Sequence, residues 1–94
     1  MKIRYTPAAF SDREQILEYL RERSANGARN VSVSIRETIE QLRDQPYSGH
    51  RTENAEVRVI FVTRYPYKIF YRVRDAIDIL HIRHTSRRAW KGKG

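Results

Sequence analysis

Cysteine is absent from this sequence, tryptophan occurs once, and no apolar run is long enough to cross a bilayer. Without cysteine the chain can form neither a disulfide framework nor a thiolate metal site, and its three histidines lack a usual zinc spacing. We therefore expect no bound metal and no cofactor. The first residues lack the apolar region of a signal peptide. These absences predict a soluble, cytoplasmic protein without a membrane partner.

Acidic residues are also scarce, and their scarcity is uneven along the chain. The sequence has 19 Lys and Arg against 11 Asp and Glu, a formal net charge of +8. Residues 1–45 hold eight basic and seven acidic residues, whereas residues 46–94 hold eleven and four. A positive field concentrated in one half of a small protein attracts nucleic acid or an acidic protein partner.

The pattern of apolar residues predicts an α+β fold in one domain over residues 1–90, followed by a disordered tail at 91–94. A short strand at residues 2–5 precedes a first helix, which Thr6 and Pro7 start and which runs to about Ser24. Asn26-Gly27 should break the chain before a second helix that ends before Pro46. A loop at 47–54 and three strands near 57–63, 67–73 and 77–83 follow, giving the order β-α-α-β-β-β.

Two apolar stripes predict which helical residues face the core. The first helix places Phe10, Arg13, Leu17 and Leu20 near one line. The second has the clearer pattern, since its apolar residues step by three and four positions. This stripe consists of Ala28, Val31, Ile35, Ile39 and Leu42.

The last two strands predict a hairpin that divides core residues from surface residues. A two-residue loop at Asp75-Ala76 would pair Arg74 with Ile77, Arg72 with Ile79, Phe70 with His81 and Lys68 with Arg83. One face would then carry Ile69, Tyr71, Leu80 and Ile82 as core. The other would gather Lys68, Phe70, Arg72, His81 and Arg83 around an exposed aromatic ring.

That second face has two interpretations. Cations around an exposed ring suit phosphates and a stacked base, but Lys and Arg on a sheet also discourage strand addition. The segment from Arg83 to Arg88 is likewise either a clamp for an anionic partner or a basic tail. The candidates for binding a partner or nucleic acid are Arg58, Arg64, Lys68, Phe70, Arg72, Arg83, Arg87 and Arg88.

Several motifs resemble the RelE/ParE superfamily of type II toxin–antitoxin toxins over nearly the whole chain. They are Arg64-Tyr-Pro-Tyr67, Tyr71-Arg-Val73, the ending from Ile79 through His84 to Arg88, and the series Leu42, Pro46, Gly49. The resemblance implies a cognate antitoxin, ParD-like or RelB-like, that forms a hetero-oligomer with the toxin. Apolar strand residues such as Val59 and Phe61 would then be antitoxin contacts.

The superfamily contains two activities, and the resemblance to the ParE branch is favoured. ParE-like members poison DNA gyrase and are not enzymes, whereas RelE-like members cut messenger RNA on the ribosome. Thr85-Ser86 stands where the RNases place stronger acids, and neither residue is a competent acid at neutral pH. The RNase alternative would use Lys68, Arg72, His81, Arg83 and His84. A third hypothesis is a nontoxic nucleic-acid-binding module with the same fold.

Overall fold

A computed structural model of the chain describes residues 1–86, and the predicted tail and Arg87 and Arg88 lie outside these residues. Two helices, α1 (Pro7–Arg21) and α2 (Ala25–Asp44), cover one face of a five-stranded sheet. The strands are β1 (Ile3–Tyr5), β2 (His50–Arg51), β3 (Arg58–Phe61), β4 (Tyr67–Val73) and β5 (Ile77–His84). Their order across the sheet is β1-β5-β4-β3-β2. The α+β class and the order of elements predicted from the sequence are therefore confirmed.

The sheet contains one strand more than the sequence predicts. His50 and Arg51 form β2, which pairs with β3 inside the segment expected to be a loop. At the opposite edge, β1 pairs with β5 in parallel, and the other pairs are antiparallel. A two-residue strand has no periodicity of its own, so long-range pairing alone defines it. Within the described residues, neither helix is long and apolar enough to cross a membrane.

The helix boundaries follow from capping side chains. Thr6 Oγ1 accepts a hydrogen bond from the Ala9 amide at 3.1 Å, and Pro7 is the first helical residue, as predicted. The break between the helices comes earlier than expected, because Ser24 Oγ accepts from the Gly27 amide at 3.0 Å and starts α2. Gly27 therefore lies in the first turn of α2 and does not end α1.

The core lies between the helices and the covered face of the sheet. The predicted stripe of α2 is confirmed, since all five of its apolar residues are buried. Of the stripe predicted for α1, Leu17 is buried but Phe10 is 57% exposed, and Ala9 takes the buried position instead. Arg13 reaches across to α2 and donates to Ser32 Oγ at 3.1 Å. The sheet contributes Ile69, Tyr71, Ile77, Ile79 and Ile82.

The hairpin between β4 and β5 differs from the predicted one near its turn. Val73 pairs with Ile77, so the loop has three residues, 74–76, and not two. A β-bulge at Leu80 of β5, opposite Phe70 and Tyr71 of β4, then shifts the register back. Phe70 pairs with His81 and Lys68 with Arg83 as predicted, whereas the predicted pairings of Arg74 and Arg72 are wrong.

The bulge also changes which residues of β5 reach the core. Ile79 pairs with Tyr71 and is fully buried under the helices. Leu80, predicted to lie in the core, is the unpaired residue at the bulge and packs with Phe70 in a second, smaller cluster. The predicted core position of Leu80 is therefore wrong, because an extra residue in one strand inverts the alternation of faces beyond it.

Candidate functional site

The sheet face opposite the helices carries a basic cluster built on a buried ring. Lys68 Nζ lies 5.6 Å and Arg83 Cζ lies 5.9 Å from the centroid of the Phe70 ring. Phe70 is only 2% exposed and packs with Val57, which corrects the prediction of an exposed stacking ring. Phe70 therefore acts as the apolar base of the cluster, and the two cations lie within cation–π range of it.

Arg72 belongs to an ion-pair network that connects three strands. Asp78 Oδ1 accepts from Arg4 Nε at 2.9 Å, and Asp78 Oδ2 accepts from Arg72 Nη2 at 3.4 Å. Burial alone would raise the pKa of Asp78, but the hydrogen bonds and charges of both arginines outweigh it and lower that pKa. The network joins β1, β5 and β4, so Arg72 helps to hold these three strands together.

His81 is joined to α1 by an aspartate. Its Nδ1 lies 3.0 Å from Asp12 Oδ2, and the same oxygen accepts a hydrogen bond from the Ile82 amide at 3.0 Å. Since the carboxylate only accepts, neutral His81 places its proton on Nδ1 and its lone pair on Nε2. The arrangement supplies the second group that acid–base work by an imidazole requires.

The side chain of His84, at the end of β5, contacts Ser86, two residues further along the chain. Its Nδ1 accepts from the Ser86 amide at 3.1 Å and lies 2.9 Å from Ser86 Oγ. Its ring also meets Tyr67 edge to face, with centroids 5.6 Å apart. Tyr67 is buried, and this burial, with a smaller contribution from Tyr19, raises its pKa. A cavity of about 500 Å³ separates these rings from α1.

The remaining predicted binding residues lie elsewhere. Arg58 Nη1 donates to the carbonyls of Tyr47 and Gly49 at 3.2 and 2.9 Å and so fixes the loop before β2. Arg64 lies in the turn after β3 and lines a cavity of about 500 Å³ against α2. Lys68, Phe70, Arg83 and His81 thus come together, whereas Arg58 and Arg64 do not join them.

Sequence reasoning missed Asp12 and Arg4, which position His81 and Arg72. Asp12 is 69 residues from His81 in sequence, and nothing in the pattern of α1 distinguishes it from other solvated acids. Only the arrangement of α1 along the edge of β5 reveals its role. Among residues 1–86, no group of His, Asp and Glu side chains is arranged to hold a metal ion.

Comparisons with known proteins agree with this fold. The family model for the ParE toxin of the type II toxin–antitoxin system parDE matches residues 3–89, a range that includes every described strand and helix. Among solved structures, a chain from the chromosomal ParDE TA system of P. aeruginosa is similar with a TM-score of 0.78 and 25% sequence identity. That alignment covers 89% of this chain and 95% of the other. No curated protein matches.

Proposed function

Because the chain belongs to the ParE toxin family of type II toxin–antitoxin systems, we propose that it inhibits DNA gyrase and that a cognate antitoxin holds it inactive. The observation that carries the proposal is the family match over residues 3–89. It favours the gyrase-directed branch of the superfamily over the ribosome-directed one.

The end of β5 supports the same choice. RNA cleavage by attack of a 2′-hydroxyl needs a group that accepts a proton and another that donates one. Thr85 and Ser86 cannot supply a proton at neutral pH, and His84 directs Nδ1 to the Ser86 amide. Among the described residues, the end of β5 therefore lacks an acid where a ribosome-dependent nuclease would need it.

The charge distribution supports an acidic antitoxin segment as the partner. The excess of positive charge lies in residues 46–94, and Phe61, an apolar residue in that region, is 50% exposed beside His50. An acidic, amphipathic segment of a ParD-like antitoxin would cover the ring and neutralise the charge. The toxin and antitoxin would then form a hetero-oligomer.

A supercoiling assay tests the proposal directly. Purified gyrase acting on relaxed plasmid, with the toxin added at micromolar concentration, should lose supercoiling activity and accumulate cleaved DNA. Premixing with the antitoxin encoded beside the toxin should restore activity. Full supercoiling in the presence of soluble, folded toxin would refute gyrase as the target.

A second candidate function, ribosome-dependent cleavage of messenger RNA, is favoured by one observation. The hydrogen bond to Asp12 fixes the His81 ring in the way that a catalytic base requires. Arg83 lies two residues further along β5. If this function operates, ribosomes stalled on a message should yield cleaved RNA. The variants His81→Ala and Arg83→Ala should abolish cleavage, and Arg21→Ala on α1 should not.

A further inference from the structure

At the end of the sheet near the turn after β4, three arginines line a groove of about 490 Å³. We name this surface the arginine shelf and define it by Arg51, Arg58 and Arg74, with Tyr47 at its rim. Glu56 is the only carboxylate among the described residues that line the groove. The shelf borders the cluster around Phe70, because Arg51 also lines a groove with Lys68 and Phe70. Arg58 and Arg74 do not line that second groove.

Two of the arginines are direct cross-strand partners, since Arg51 of β2 pairs with Arg58 of β3. Like charges placed opposite each other destabilise a pair of strands. β2 contains only His50 and Arg51, so the repulsion affects one of its two residue pairs. Both arginines line the groove, so an anion bound there would reduce that cost, and the pairing therefore points to a ligand.

The central arginine of the shelf, Arg58, is held in place before any ligand arrives. Arg58 donates to two carbonyls of the loop before β2, and its Cζ lies 5.2 Å from the centroid of the Tyr47 ring. Tyr47 nevertheless remains 63% exposed. The loop thus presents an aromatic surface beside fixed positive charge, which suits the sugar and phosphate of a nucleic acid.

Arg74, the third arginine of the shelf, can leave its present partner for a ligand at small cost. Arg74 Nη2 donates to Glu56 Oε1 at 3.1 Å, but both side chains are more than half exposed. An exposed ion pair of this kind contributes little to stability, so an incoming phosphate competes with Glu56 at small cost. Guanidinium groups are the preferred partners for phosphate oxygens because they donate two parallel hydrogen bonds.

We propose that the arginine shelf binds the phosphate backbone of duplex DNA, with Arg51 and Arg74 contacting successive phosphates around Arg58. An open groove lined by three arginines suits a chain of phosphates better than a single small anion. The choice of DNA as the polyanion rests on the proposed function, because gyrase holds duplex DNA. The shelf would then place the toxin against the DNA that gyrase carries.

Fluorescence anisotropy with a labelled DNA duplex and the full chain tests this, over a series of salt concentrations. Each phosphate contact contributes roughly one to the slope of log affinity against log salt. The double variant Arg51→Ala/Arg74→Ala should bind more weakly, with a slope smaller by about two. The double variant Arg51→Lys/Arg74→Lys should keep most of the slope.

A matched variant separates the shelf from total charge. Arg21→Ala/Arg36→Ala removes the same charge from the exposed sides of the helices and should leave the slope near that of the wild type. Equal losses of DNA affinity in the two Ala variants would overturn the proposal. An RNA duplex of the same sequence serves as a second probe, and a loss of affinity for the RNA duplex alone would also overturn it. Urea unfolding of each variant checks that the protein as a whole remains folded.

Supercoiling assays on the same proteins distinguish this proposal from the proposed function. Wild-type inhibition of gyrase, combined with unchanged DNA binding by the shelf variant, would refute the shelf alone. Absence of inhibition by the wild type, combined with loss of DNA binding by the shelf variant, would refute the gyrase target and leave the shelf standing.

Discussion

At the scale of single residues, Gly49 is required for space. A Cβ at this position would lie 2.5 Å from Tyr71 Oη and 2.8 Å from the Val59 carbonyl oxygen. Tyr71 is fully buried, and its hydroxyl accepts from the Gly49 amide at 2.9 Å, so neither neighbour moves freely. Gly49→Ala should therefore destabilise the protein by about 2 kcal/mol in urea unfolding, as overpacking of a core does.

Gly27→Ala is the matched control, because its Cβ would meet only the Ser24 side chain at 3.4 Å. Alanine is also the better helix former in the first turn of α2, so stability should stay equal or rise by up to ~1 kcal/mol. Equal losses at the two glycines would contradict the argument from space. The physical reason for Gly49 is thus a close contact 22 residues away in sequence, which composition alone does not reveal.

Asp78 gives the protein a defined sensitivity to acid. The pKa of Asp78 is lowered in the folded state. As the pH falls, the unfolded chain therefore takes up a proton at this residue before the folded protein does. The stabilisation is fully present above the ordinary pKa of an aspartate, about 4, and is lost as the pH falls below it. Asp78→Asn should cost about 2 kcal/mol at pH 7, because two hydrogen bonds to charged partners weaken. Urea unfolding at pH 7 and pH 3 should show the gap between variant and wild type narrowing in acid. A gap of constant size would mean that the ion pairs are not its source.

At the scale of elements, the hairpin shows how far a sequence pattern reaches. The outer pairs, Lys68 with Arg83 and Phe70 with His81, are predictable because alternation continues along each strand. The pairs nearer the turn are not predictable. The three-residue turn shifts the register by one residue, and the bulge shifts it back by one. Neither has a distinct sequence signal, and Leu80 is consequently misassigned.

The edge of β5 depends on α1 where β1 ends. β1 pairs with β5 only as far as Ile79. Beyond that point no neighbouring strand of the described residues is paired on this side, and the carboxylate of Asp12 accepts the hydrogen bond from the Ile82 amide. Asp12→Ala should expose that amide and cost about 2 kcal/mol, since a charged acceptor is removed from a partly buried donor. Amide hydrogen exchange at Ile82 should become faster. Glu14→Ala is the control, because its partly exposed pair with the neighbouring Arg13 contributes at most ~1 kcal/mol.

At the scale of the whole molecule, positive charge is divided among three surfaces. Lys68 and Arg83 lie over Phe70, the arginine shelf extends from Arg51 beside that ring to Arg74 in the turn after β4, and Arg64 faces α2. Composition predicts the excess of charge in residues 46–94 but not this division, which depends on strand order. A partner that neutralises all three surfaces has to extend around the molecule, and a compact domain could not reach them together.

The two candidate targets make opposite predictions for His84 when the toxin is induced without antitoxin. His84 turns back to Ser86, and the gyrase proposal assigns it no role, so His84→Ala should stop growth as fully as the wild type. Plasmids from the arrested cells should show altered supercoiling or cleavage. If His84→Ala cells grow normally, while the variant accumulates and unfolds in urea like the wild type, gyrase poisoning is contradicted. Intact messages under the variant and cleaved ones under the wild type would then establish RNA cleavage, because loss of one imidazole from a folded protein removes proton transfer and little else.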